Sequence, residues 1–290
     1  MSLSEKLLKH FEEIIRSKTG TQRTIISSEP VTGGDINRAF RLFTKSDSFF
    51  VKLNNAAFEP DMFSAESKGL QTLGVSTPGV LDFGVFGHDS FLIMEWIERA
   101  ENSKKGQENL GRLLAGIHRK NTKNFGLPYN NFIGSLKQFN TTDTNWTQFY
   151  SRQRLEKQLD LASQKHLIDT TIRQQFEKLY LKLDTLYEPE KPALLHGDLW
   201  SGNYIISKDS QPFLIDPAIY YGHREMDIAM SKLFGGFEPA FYNAYHENFP
   251  LAPGWERRIS LWQLYPLLVH LNLFGKSYLP GIQANLKNWL

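Results

Sequence analysis

His196-Gly197-Asp198-Leu199-Trp200-Ser201-Gly202-Asn203 is the stretch on which the reading of the chain turns. It lies between two short apolar runs, 193–195 and 204–206, that read as strands, so the polar octapeptide reads as a loop. A carboxylate at position 198 is suited to accept or orient the proton of an attacking hydroxyl. Five positions on, the Asn203 amide oxygen suits Mg²⁺, a hard cation that takes oxygen ligands. Thirteen residues further, the apolar run 213–215 ends in Asp216-Pro217. That brings a second metal-binding carboxylate across a hairpin from the first loop. His, Gly and Asp also favour plain surface turns, and Asp216 alone reads as a strand-ending turn residue. Their order and their apolar flanks point to chemistry instead. His196 reads as an anchor of the loop rather than a reactant.

The N-terminal third supplies matching parts. Residues 24–31, 36–43, 49–53, 79–85 and 91–97 read as strands, with a helix over 60–73. Thr32-Gly33-Gly34-Asp35-Ile36-Asn37 falls between two of them, and Gly33 and Gly34 would let backbone N–H groups approach phosphates. Lys52 stands alone in the apolar run Phe50-Val51-Lys52-Leu53, and a buried lysine needs a partner. Glu66, on the following helix, is its natural one, with Glu59 and Asp61 as nearby competitors. The pair would aim Lys52 at the α/β phosphates of a nucleotide. Met94, Glu95, Trp96 and Ile97 end the last strand. There the backbone of Glu95 and Ile97 would bond an adenine edge, with Met94 and Leu214 as apolar walls.

Beyond Glu98 the pattern changes from strand to helix. Residues 100–106 read as a turn, and helices are expected over 110–120, 146–163, 170–187, 226–234, 239–247 and 255–274. An amphipathic helix leads the chain at 3–17, with Ser2 and Glu5 as its expected capping box. The expected architecture is α+β, with a five-stranded antiparallel lobe carrying one helix over residues 1–97 and a mainly helical lobe over 98–290. The chain has 290 residues, 33 basic and 31 acidic, and no cysteine. Net charge +2 gives no cationic field for nucleic acid. Without cysteine there is no disulfide, thiolate catalysis or Cys-ligated zinc. The pairs Lys104-Lys105 and Arg257-Arg258 read as solvated surface. The most apolar late run, 264–274, is too short and too polar to span a bilayer, and a soluble cytoplasmic monomer is expected.

In order, the parts are a glycine loop, Lys, Glu, hinge, Asp…Asn and Asp, and this order resembles the protein-kinase-like superfamily. Within it, His196-Gly-Asp-Leu-Trp-Ser-Gly-Asn203 resembles the signature of the fructosamine/ketosamine 3-kinases. So do Thr32–Asn37, Asn131-Phe-Ile-Gly134, Ile215-Asp-Pro-Ala218, Gly222-His-Arg-Glu-Met-Asp227 and His270-Leu-Asn-Leu-Phe-Gly275. The resemblance spans almost the whole chain. It implies transfer of a phosphoryl group from ATP, with Mg²⁺, to the 3-hydroxyl of a ketosamine. The 3-phosphate then eliminates and frees the amine, which is protein deglycation. It implies Asp198 as catalytic base, Asn203 and Asp216 as metal ligands, Lys52 as phosphate ligand and residues 95–97 as adenine hinge. Trp200 would stack on the substrate, His270 joins it among the candidate substrate residues, and Asp227 would brace the catalytic loop.

Departures from protein kinases are clear. Gly197 replaces Arg, Pro217-Ala218 replaces Phe-Gly, and no Ala-Pro-Glu follows. Two alternatives stand beside this reading. One is a related kinase for an aminoglycoside, choline or homoserine. Aminoglycoside and choline sites need several carboxylates, and residues 255–290 carry Glu256 as their one acid. The other is a pseudokinase, which would lack a catalytic part, whereas Lys52, Asp198, Asn203 and Asp216 are all present.

Overall fold

A computed structural model describes residues 3–32, 37–57, 61–74 and 76–290. Helix α1 (Glu5–Thr19) leads the chain. Its cap is Ser4, whose Oγ accepts from the Leu7 N–H at 3.3 Å. The expected capping residue, Ser2, lies outside the described residues, and with the helix starting at Glu5 the N-cap position falls on Ser4.

Five strands follow: β1 (Ser27–Val31), β2 (Arg38–Phe43), β3 (Ser48–Asn55), β4 (Val80–Phe86) and β5 (Asp89–Glu95), with helix α2 (Met62–Leu73) between β3 and β4. They form one antiparallel sheet in the order β1-β2-β3-β5-β4. Period-two alternation sorts its side chains. Phe49, Val51 and Leu53 of β3 face α1 and pack with Leu7, Phe11, Ile14 and Ile15. Phe50 and Lys52 face the other way. In register with them lie Arg41 and Met94 beside Phe50, and Ala39 and Leu92 beside Lys52. That second face meets α2 through Met62, Phe63 and Leu70.

The remainder is mostly helical. It comprises α3 (Lys104–His118), the hairpin β6 (Asn131–Ile133) and β7 (Leu136–Gln138), α4 (Trp146–Phe149), α5 (Glu156–Gln164), α6 (Thr170–Tyr180), β8 (Ala193–Leu195), β9 (Tyr204–Ile206), β10 (Pro212–Leu214), β11 (Tyr220–Gly222), α7 (Glu225–Leu233), α8 (Pro239–Asn248), α9 (Trp255–Trp262), α10 (Leu264–Phe274) and α11 (Leu279–Lys287). Several expectations need correction. Helix α3 starts inside the expected turn 100–106, because Ser103 caps it by accepting from the Gly106 N–H at 3.1 Å. The expected helix 146–163 is continuous in space but has a π-helical turn at Tyr150–Leu155. The expected helix 255–274 divides at Gln263, between α9 and α10. Strands β6, β7 and β11 and helix α11 were not expected. Arg258 is not solvated: it is buried, donating to both carboxylate oxygens of Glu225 at 2.6 and 2.8 Å. Trp262 Nε1 donates to the same carboxylate at 2.7 Å.

Helix α2 is fastened to the helical part. Gly69 lies so close to Pro217 that an added Cβ would stand 3.1 Å from the ring. Lys120 Nζ donates to the Leu73 carbonyl at 2.7 Å, placing a cation at the negative end of the helix. Just beyond, the Leu214 N–H donates to Ser76 O at 2.8 Å. Among the described residues, no helix is long and apolar enough to cross a membrane.

Candidate active site

The loop between β8 and β9 is shaped by two local devices. Gly197 has φ +84°, a left-handed conformation that disfavours side chains, and a Cβ there would run into the Ala218 carbonyl. A 3₁₀ turn, Ser201–Asn203, then folds Asn203 back on the loop. Its Nδ2 donates to Asp198 O at 2.9 Å and to Asp198 Oδ2 at 3.1 Å. The Asn203 Oδ1 is left for another partner. The indole of Trp200 lies against Gly202, where any side chain would collide with it.

Buried groups hold this loop from behind. Asp227 Oδ2 accepts from the His196 N–H at 2.7 Å, and its Oδ1 accepts from the Gly197 N–H at 2.9 Å. His118 Nε2 donates to the same carboxylate at 3.1 Å. Burial alone would raise the Asp227 pKa, but these bonds hold it below the ordinary carboxylate value. Burial depresses the pKa of His196. The neutral ring fits its bonds: Nε2 donates to Ile215 O at 2.9 Å and Nδ1 accepts from the Asp198 N–H at 3.3 Å.

Asp216 follows β10 with φ +54°, a strained conformation for a residue with a side chain. The segment after it is braced by the β6–β7 hairpin: Gln138 Nε2 donates to Ala218 O and Asn131 Nδ2 to Ile219 O, both at 2.9 Å. Asn131 thus braces the segment after Asp216, while Phe132 packs with the cluster that includes Leu92 and Met94.

Lys52 Nζ bridges Glu66 Oε1, at 2.7 Å, and Asp216 Oδ1. This joins the sheet, α2 and the segment after β10 in one ionic cluster. Lys52 is buried, which by itself would lower its pKa, yet the two carboxylates raise it above the ordinary lysine value. Desolvation pushes Asp198 up to about 7, with the charge of Asp216 adding to the effect and the Asn203 bond opposing it.

The other expected site residues are distributed as follows. Gly33 and Gly34 lie outside the described residues. Met94 is buried on the Lys52 face. The side chain of Glu95 turns to the α1 face and accepts from the Gly79 N–H at 3.3 Å, leaving its backbone at the end of β5. Trp96 packs against Phe50, with ring centroids 6.1 Å apart, under the guanidinium of Arg41. Leu214 is fully buried in the core; at this hairpin the half-buried Ile205 and Ile215 present apolar surface instead. His270 is half-buried on α10 and is linked to Trp200 through Phe234, which contacts both rings. A shallow cleft lined by Lys18, Phe49, Gly79 and Glu95 opens on the α1 face and holds none of residues 196–203.

Sequence reasoning missed Phe50, His118 and Phe234. Phe50 had a signal, since period two puts it on the face of Lys52. His118 and Phe234 had none, because only folding brings them to the loop.

The comparisons with known proteins fit this arrangement. A model of the fructosamine kinase family matches residues 7–290. The chain belongs to that family. It is 40% identical over 292 residues to a chloroplastic protein-ribulosamine 3-kinase of Arabidopsis thaliana, covering 96% of this chain and 86% of the relative. It is similar to the crystal structure of a Haemophilus somnus protein assigned as a fructosamine-3-kinase, with TM-score 0.87, 29% identity and coverage of 97% and 96% of the two chains. Outside the family, a spectinomycin phosphotransferase solved with ADP and spectinomycin shares the kinase-like fold, with TM-score 0.58, 16% identity and coverage of 97% and 93%.

Proposed function

We propose that this protein transfers the γ-phosphoryl group of ATP to the 3-hydroxyl of ketosamines such as fructosamine and ribulosamine, and so acts in deglycation. The observation that carries the reading is the convergence of Asp198, Asn203, Asp216 and Lys52 around one loop, in a chain of the fructosamine kinase family. Residues 1–97 are taken as the nucleotide lobe and 98–290 as the catalytic and substrate lobe, in a cytoplasmic monomer.

Each residue has a task. Asp198 orients the acceptor hydroxyl and takes its proton as the oxygen attacks phosphorus. Asn203 holds Asp198 in position through Nδ2. Lys52, steadied by Glu66, neutralises phosphate oxygens. For adenine, Phe50, Trp96, Ile205 and Ile215 provide apolar faces, with Met94 buried beside Phe50, and the backbone at 95–97 provides hydrogen bonds. No partner within the described residues takes the Ile97 N–H, which keeps it available to a base edge.

The donor set fits Mg²⁺. Asn203 Oδ1 and the Asp216 carboxylate are hard oxygen ligands, and they would hold the ion between them. Among the described residues, no cluster of three or more His, Asp or Glu side chains could hold a metal. That suits an ion that keeps waters and phosphate oxygens as its remaining ligands. When bound, it would screen the phosphate charge. Activity is therefore expected to vanish with EDTA and to return with Mg²⁺ or Mn²⁺; full turnover in EDTA would remove Asn203 and Asp216 from this role.

The substrate class is tested by ADP release with fructosamine, ribulosamine and erythrulosamine derivatives of one amine, alongside kanamycin and choline. Turnover of the ketosamines is expected, followed by release of phosphate and free amine from the unstable product. Turnover of kanamycin or choline alone would keep the kinase reading and overturn the substrate. Nucleotide binding with no turnover of any acceptor would indicate a pseudokinase.

A further inference from the structure

Two of the large hydrophobic side chains that the fold leaves exposed lie in one row leading away from the catalytic loop. These are Phe234 and Phe274, at 41% and 45% exposure. The row starts at Trp200, whose ring meets Phe234 edge-on at 6.5 Å. Phe234 meets His270 at 4.7 Å, and His270 meets Phe274 at 5.5 Å and Tyr278 at 5.1 Å. Phe234 closes α7 and is followed by Gly235 and Gly236, both with left-handed φ. The Gly236 carbonyl accepts from Tyr204 OH at 2.6 Å, which ties this corner to β9.

His270 gives the row its polarity. Its Nδ1 lies 2.7 Å from the Pro266 carbonyl, so Nδ1 carries the proton and donates. Burial lowers its pKa, which favours the neutral ring. The Nε2 lone pair is therefore free to accept. No residue of the row carries a carboxylate. Aromatic faces with one neutral acceptor suit a single N–H cation better than a polycation.

We propose that Trp200, Phe234, His270, Phe274 and Tyr278 form an amine subsite, which takes the protonated secondary amine of the ketosamine and the first carbons of its substituent. The assignment rests on the ketosamine reading. The amine of such a substrate is borne on C1, two carbons from the reacting C3, so it must lie beside the loop that presents Asp198. Trp200 and Phe234 bound that side. The cation lies against the π faces and donates to His270 Nε2, while Phe274 and Tyr278 line the path of the substituent.

The test compares 1-benzylamino-1-deoxyfructose with 1-O-benzylfructose, in which an ether oxygen replaces the amine nitrogen. Wild-type kcat/KM should favour the amine by roughly three- to tenfold, the scale of a solvent-exposed cation–π contact joined by one hydrogen bond. Phe234→Leu keeps apolar bulk at an exposed position but removes one of the two π faces, and it should lower the ratio severalfold. His270→Phe, which keeps a ring and loses the acceptor, should lower it partway. Equal turnover of amine and ether by the wild type would overturn the proposal. So would a Phe234→Leu variant that slows both substrates equally, since that would make the row a plain apolar wall. Failure to turn over any ketosamine would instead refute the function on which the subsite rests.

Discussion

Asp198→Asn should lower kcat by roughly 10²–10⁴, the usual contribution of a positioned general base, and leave KM for ATP nearly unchanged. The substitution keeps size and shape. The backbone oxygen of residue 198 still accepts from Asn203 Nδ2, and the Asp227 bonds to His196 and Gly197 are untouched. The loop therefore stays in place while the group that takes the proton is gone. The groups assigned to nucleotide lie elsewhere, on β3 and at the end of β5. Steady-state kinetics with ATP and ketosamine varied separately provides the measurement. A variant with near wild-type turnover would remove Asp198 as the base. One that lost nucleotide affinity as well would mean that the loop, not the proton transfer, had been damaged.

Arg258→Met should be the most destabilising of the surface-distant changes, by about 3–5 kcal/mol. Glu225 has no solvent exposure, and Arg258 supplies two of its three hydrogen bonds. Removing the guanidinium strands a carboxylate with Trp262 Nε1 alone. Arg173→Ala makes the useful contrast. Its bonds to Glu156 and Asp160 are about one-third exposed or more, so their loss should cost about 1 kcal/mol or less. Denaturant titration of both variants compares them directly. The Arg258 effect also has a pH signature. Burial would raise the Glu225 pKa, but the bonds from Arg258 and Trp262 hold it below the ordinary value. Stability from such a group is present above the unfolded carboxylate pKa and is lost as pH falls through the folded one. The gap between wild type and Arg258→Met should therefore narrow in acid. A small, pH-independent loss would show the pair to be dispensable.

Much of this architecture was legible because its signals are local. Alternation around Lys52 marked a strand with two different faces, and the glycines and polar turns between apolar runs marked the hairpins. His196–Asn203 could be read because a turn between two short strands brings Asp198 and Asn203 together without help from distant residues. Other features depend on distance in space. Arg258 looks solvated in the sequence because nothing there reveals Glu225, 33 residues earlier, as its partner. Ser103 looks like part of a turn until its hydroxyl is seen to cap α3. The π-helical turn at Tyr150–Leu155 leaves the apolar spacing of its helix nearly unchanged. Its effect is three-dimensional: it belongs to the stretch that presents Arg154, which lies 3.8 Å over the ring of Tyr220. Phe234, ending a helix ahead of two glycines, looks like any frayed terminus.

The fastening of α2 has a consequence for control. Gly69 against Pro217, Lys120 on the Leu73 carbonyl, and Ser76 on Leu214 all hold the helix that carries Glu66. Swinging that helix outward would break these contacts together with the Lys52–Glu66 pair. No arginine precedes Asp198 to receive a phosphorylated segment, and there is no thiol to oxidise. A switch worked through that helix would have to surrender all of these contacts in one step. Opening the frame would leave Lys52 with Asp216 as its one acidic partner among the described residues.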